Sequence, residues 1–160
     1  MKKLFLLPLL LLSLISNPCL SETMASLVER DGIYYKKFTE TPFTGKVTGV
    51  IQGRLKDGKK EGKWTMYHPN GQLMNKVSYK KGKKEGISVW YHDNGQLMGK
   101  ENYKNGGIEG EVVSFLKNGQ LQEKGSYKNG KKEGKWVEFF QGRVFKWGTG
   151  TFKDGKKVSD

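Results

Sequence analysis

Few residues in this chain could do chemistry, and their spacing argues against most of it. His68 and His92 are the only imidazoles. Each stands just upstream of an Asn-Gly pair, at the same phase of a repeated pattern. Equivalent positions on neighbouring hairpins lie about 10 Å apart, two strand spacings, too far to share a metal. The same phase holds Leu116 and Phe140 further on, so no cluster builds. No histidine accompanies Ser and Asp in a nucleophile pattern. The glycines follow turn spacing and form no phosphate-cradling loop between a strand and a helix. The carboxylates are distributed by repeat, with no deviant pair suited to acid–base work. The sequence therefore predicts no enzyme, no metal and no cofactor. The remaining chemistry is cationic. Lys76, Lys100 and Lys124 recur at one phase, with Glu101 and Glu123 nearby in sequence as partial compensation. Like charges repeated along a sheet favour an external counter-charge, so this row is the candidate contact for an anion or a partner.

What must position these residues is a repeat. Asp57–Lys80, Lys81–Lys104 and Asn105–Lys128 align without a gap, and Asn129–Lys153 follows with one extra residue. A partial copy occupies 154–160, and a divergent cap occupies 45–56. Fixed-period repeats stack, each unit leaning on its neighbours. Each copy holds two turn signals. One is Asn70-Gly71, Asn94-Gly95 and Asn118-Gly119; the other is Asp57-Gly58, Lys81-Gly82, Asn105-Gly106, Asn129-Gly130 and Asp154-Gly155. Both sets suit primed hairpin turns. The intervening runs are rich in Trp, Tyr, Val and Thr and show no helical period. The expected fold is all-β: an elongated, single-layer antiparallel meander of β-hairpins.

Aligned repeats give columns. Tyr67, Tyr91, Phe115 and Phe139 form one aromatic ladder; Tyr79, Tyr103, Tyr127 and Phe152 form a second. Leu73, Leu97, Leu121 and Val144 form a third column, and Thr65, Val89, Val113 and Val137 a fourth. Their expected role is packing between repeats. Faces depend on register. A two-residue Asn70-Gly71 turn pairs His68 with Leu73 and Tyr67 with Met74; a three-residue loop with a bulge pairs Tyr67 with Leu73. The Asn-Gly preference favours the first. Both sheet faces then carry apolar groups, so either the N-terminal segment folds back over one of them or one binds a partner. Lys60, Lys84 and Lys132 stand beside the column Glu61, Glu85, Glu109 and Glu133, and exposed ion pairs between successive hairpins are expected there.

The pattern G-K-x-x-x-Y-x-x-N-G-Q-L…Y-K-x-G-K-K-E-G resembles the MORN-type repeat in its bacterial variant form, from about Gly45 to the C-terminus. It is similar to proteins labelled as YwqK-family antitoxins. The resemblance implies a twisted sheet used for contacts, and, as an alternative function, neutralisation of a partner toxin by direct contact.

Met1 to Ser21 reads as a secretory signal peptide: Lys2 and Lys3, an apolar run from Leu4 to Ile15, then small residues before Glu22. Lipid anchoring at Cys19 is the other processing route, disfavoured by Pro18. Residues 22–44 form an N-terminal extension with a frayed start to Arg30 and a short strand near Ile33. Cleavage after Ser21 leaves 160 − 21 = 139 residues without cysteine, so stability must come from sheet pairing and aromatics. Net charge is +13, and +11 once Lys2 and Lys3 are removed. The expected protein is periplasmic or secreted. It is a binding or scaffolding module whose partner is a protein or an anionic envelope surface of lipid headgroups or glycans. Export argues against nucleic acid.

Overall fold

Turn chemistry and repeat phase together produce one continuous sheet. A computed structural model describes residues 20–140, 142–146 and 148–160. The expected signal peptide and Cys19 lie outside the described residues, except for Leu20 and Ser21. Successive strands pair antiparallel in chain order from Gly45–Thr48 to Lys156–Ser159, and the order in space repeats the order in sequence. Ser21–Thr23 adds a parallel strand to the N-terminal edge, beside Gly45–Thr48. A separate two-stranded hairpin, Leu27–Arg30 with Ile33–Lys36, stands off the main sheet.

The two turn sets differ. Asp57, Lys81, Asn105, Asn129 and Asp154 have positive φ, as do the glycines that follow them. These are the primed two-residue turns expected. Asn70, Asn94 and Asn118 are not in that conformation; only Gly71, Gly95 and Gly119 are. Here Gly71 N–H bonds to the His68 carbonyl, and His68 N–H bonds to the Gln72 carbonyl. Asn70 Oδ1 accepts from Gln72 N–H at 3.1 Å. This Asx contact closes a three-residue loop with a single left-handed glycine. The favoured two-residue register is corrected accordingly: Tyr67 pairs with Leu73, not Met74. A bulge follows at once, because Met66 pairs with Asn75. The body of the hairpin thus keeps the expected register, with Thr65 opposite Lys76 and Trp64 opposite Val77. The second and third repeats repeat this geometry.

Each repeat also carries a bulge at its Glu-Gly step. Gly62, Gly86, Gly110 and Gly134 hold φ between +69° and +86°. Opposite them stand Tyr79, Tyr103, Tyr127 and Phe152, the second aromatic ladder. A Cβ at Gly62, Gly86 or Gly134 would meet open space, so glycine recurs here for its left-handed backbone and not for room under a ring.

The inner face holds Trp64, Val77, Tyr79 and Leu55. The N-terminal segment covers one end of it, with Leu27, Phe43, Met24 and Tyr34 completing that core. Folding-back, one of the two expected explanations for a two-sided apolar sheet, applies there. The segment from Glu22 to Arg30 is accordingly ordered into strands and not frayed, because Leu27 is buried. A second core of Val112, Trp136 and Phe152 serves the other end. Between them the row turns polar: Ser88 is fully buried, and Asn75 Nδ2 donates to its Oγ at 3.2 Å. The reason is local space. Trp64 and Trp136 each lie over a glycine of the preceding strand, Gly53 and Gly125, where any Cβ would enter the ring. Ser88 has Val77 in that place, and Val112 has Glu101. An indole needs the glycine, so the middle repeats cannot carry one.

Candidate functional site

Strand alternation places Thr65 and Lys76 on the face opposite Trp64. Ladder pairing then extends one row across the sheet. Gln52 pairs Thr65, Thr65 pairs Lys76, Lys76 pairs Val89, and Val89 pairs Lys100. Lys100 pairs Val113, Val113 pairs Lys124, and Lys124 pairs Val137. Lysine alternates with an apolar or hydroxyl residue, so successive ammonium groups are two strand spacings apart, about 10 Å. All three lysines are exposed. Among the described residues none of them forms an ion pair. Lys100 and Lys124 flank a shallow groove of about 390 Å³ over Val113, which Glu101 and Glu111 also line. Ile87, 64% exposed, adds an apolar wall. The first aromatic ladder, Tyr67 to Phe139, shares this outer face, half-buried and paired with Leu73, Leu97, Leu121 and Val144. The face can hold negative charge against a partly apolar floor.

The other lysine column belongs to the inner face and does something else. Lys60 Nζ sits 5.0 Å from the Trp64 ring, 5.2 Å from Tyr79 and 5.7 Å from Tyr34. Lys84 lies over Tyr103 at 4.4 Å, and Lys132 over Trp136 at 4.0 Å. These are cation–π contacts. Burial holds the Lys60 ammonium below the usual lysine range. An ion pair between successive hairpins forms at Lys132, with Glu123 at 3.4 Å, but the expected pairing of this column with the adjacent glutamates is corrected. The glutamates instead accept backbone N–H bonds from the next turn: Glu61 from Lys81 at 2.7 Å, Glu85 from Asn105 at 2.9 Å, Glu109 from Asn129 at 2.7 Å, and Glu133 from Asp154 at 3.1 Å. At the cap, Thr44 Oγ1 takes this role and accepts from Asp57 N–H at 2.8 Å.

The histidines bind backbone. Nε2 of His68 donates to the Tyr91 carbonyl and that of His92 to the Phe115 carbonyl, both at 2.9 Å. A carbonyl only accepts, so the proton resides on Nε2. Asn70 and Asn94 make parallel bonds to the carbonyls of Asp93 and Lys117. Each turn is thereby tied to the next. Among the described residues no group of three or more His, Cys, Asp or Glu could hold a metal.

Sequence reasoning missed the polar centre of the inner face. There Tyr103 Oη donates to Glu101 at 2.6 Å, and Lys84 Nζ donates to Tyr103 at 3.2 Å. Burial, and then the neighbouring Glu101 carboxylate, push the Tyr103 hydroxyl well above its ordinary range. The signal was available as the column Trp64, Ser88, Val112, Trp136.

With this geometry in place, comparison with known families is direct. The family described as MORN repeat variant matches residues 60–81, 84–105 and 108–129. The match covers three of the hairpin repeats. The matched units begin two residues past each primed turn and end at the first residue of the next, so each spans one hairpin with its Glu-Gly bulge. MORN repeats serve as binding or scaffolding modules, which agrees with a site built from a surface row. Comparison with curated proteins gives no significant match.

Proposed function

We propose that this chain is a non-catalytic MORN-repeat module that works at the bacterial envelope and engages an anionic surface through its outer face. One observation carries the reading: Lys76, Lys100 and Lys124 stand exposed in a single cross-sheet row, without ion pairs among the described residues. The exposed apolar side chains of Ile87 and Met98 on and beside the same face suit an interface that is charged and partly apolar. Among surfaces of that kind, the commitment is to anionic lipid headgroups. Nothing beyond the repeat pattern points to an antitoxin.

The test is co-sedimentation with vesicles containing anionic phospholipid. Each lysine near such a surface contributes about 1 kcal/mol, so K76Q/K100Q/K124Q should weaken binding by roughly 100-fold. Wild-type binding should fall as salt rises. Equal, salt-independent binding of wild type and variant would overturn the reading. Folding should be untouched, because the three side chains contact solvent.

Envelope location rests on the signal-like segment and has its own check. The intact mass of protein recovered from fractionated cells should correspond to a processed chain in the periplasm or medium. A chain starting at Met1 in the cytosol would set export aside.

A further inference from the structure

We infer that a groove at the N-terminal end of the outer face is a binding site for a phosphate-class dianion. The groove, about 1030 Å³, lies over the cap and the first repeat. Lys46, Arg54 and Lys63 line it, with Gln52 and Thr65 beside them. Lys46 and Arg54 are directly opposite each other across the ladder. Like charges in that position destabilise a sheet unless a counter-ion lies between them. Among the described residues none of the three cations forms an ion pair. Glu61 also lines the groove, in register with Arg54, and its carboxylate is engaged by the Lys81 N–H at 2.7 Å.

The site departs from the repeat. The row that begins with Arg54 and Lys63 continues as Ser78, Ile87 and Asn102, then as Glu111 and Ser126, and ends as Lys135 and Thr151. Stacking therefore does not require cations at this phase, and Lys135 stands without a second cation beside it in the row, whereas the cap brings Lys46, Arg54 and Lys63 together. Arg54 is one of only three arginines in a chain with 29 basic residues. Its planar fork matches two oxygens of one tetrahedral anion, which an ammonium cannot do. The Glu-Gly bulge at Gly62, with φ +69°, bends the strand beside the groove that Lys63 lines. The chemistry shared by a lipid phosphomonoester and a free diphosphate is what these groups recognise. The groove shares Gln52 and Thr65 with the start of the lysine row but none of its three lysines, so the row can fail its vesicle test while the groove still binds.

The experiment titrates inorganic pyrophosphate into isotope-labelled protein and follows backbone amides by NMR. The expected result is saturable shifts concentrated at Lys46, Arg54, Lys63 and Thr65. K46Q/R54Q should weaken binding by about tenfold or more, whereas K128Q, at an exposed lysine outside both the groove and the lysine row, leaves it unchanged. Amides of the third repeat report that the variant remains folded. Competition by vesicles bearing phosphatidic acid would assign the lipid source; binding of pyrophosphate without such competition would assign a soluble ligand. Shifts spread evenly over the lysine-bearing strands, or affinity unchanged in K46Q/R54Q, would overturn the inference.

Discussion

Trp136→Ala should cost about 3–5 kcal/mol of stability, and Gly125→Ala should lose most of its own cost in that background. Trp136 is 1% exposed and centres the C-terminal core, in edge contact with Tyr127 at 5.0 Å and Phe152 at 6.3 Å. Its Nε1 donates to the Ser126 carbonyl at 3.0 Å. Removing an indole from such a site leaves a cavity on top of the lost transfer energy, which sets the stated range. Gly125 lies under the ring, and a Cβ there would overlap three ring atoms. Alone, Gly125→Ala forces the ring or the strand to move, at about 1–3 kcal/mol. With the ring absent, the added methyl meets open space. The two substitutions should therefore be strongly non-additive, with a coupling of about 1–3 kcal/mol in a double-mutant cycle from urea unfolding. Additive costs would show that the ring–glycine contact does not govern packing here. The same logic predicts that Ser88→Trp is not tolerated unless Val77 becomes glycine.

Loss of the glutamate contacts should open the turns one by one. Each carboxylate holds a single backbone N–H of the following repeat at an exposed position, so Glu109→Ala should cost about 1 kcal/mol. E61A/E85A/E109A together should cost about 3 kcal/mol, since the three contacts are separate. Amide exchange localises the effect: Lys81, Asn105 and Asn129 should each lose protection when their own glutamate is removed. Glu→Gln retains an acceptor oxygen and should cost less. Unchanged exchange at Asn129 in Glu109→Ala would remove this account of why glutamate recurs before each bulge glycine.

The hairpin meander was legible because its signals are local. Asp57-Gly58 and its counterparts specify primed turns through backbone conformation alone, and the ladders follow from counting between them. Tyr79 and its column could be recognised as packing residues from their phase. The row of Lys76, Lys100 and Lys124 was legible for the same reason, since equal phase becomes equal height across a regular sheet. The Asn-Gly turns misled, because the dipeptide fits two loop forms. The choice fell to an Asn70 side-chain bond to Gln72, a contact that a dipeptide preference does not contain. The role of Glu61, Glu85, Glu109 and Glu133 was also misread. Their neighbours in sequence are lysines, but their partners in space are amides of the next repeat.

The sequence by itself determined the repeat length, the strands, their antiparallel order and which residues share a column. Those properties depend on backbone conformation at turns and on a period of two along each strand, both fixed within one repeat. Only the tertiary structure decided the rest. It placed the N-terminal hairpin over one end of the inner face, split the core around Ser88, and gathered Lys46, Arg54 and Lys63 in one groove. Each of these depends on how side chains from different repeats fill or vacate the same space, as Trp136 does above Gly125, and no spacing within a single repeat encodes it.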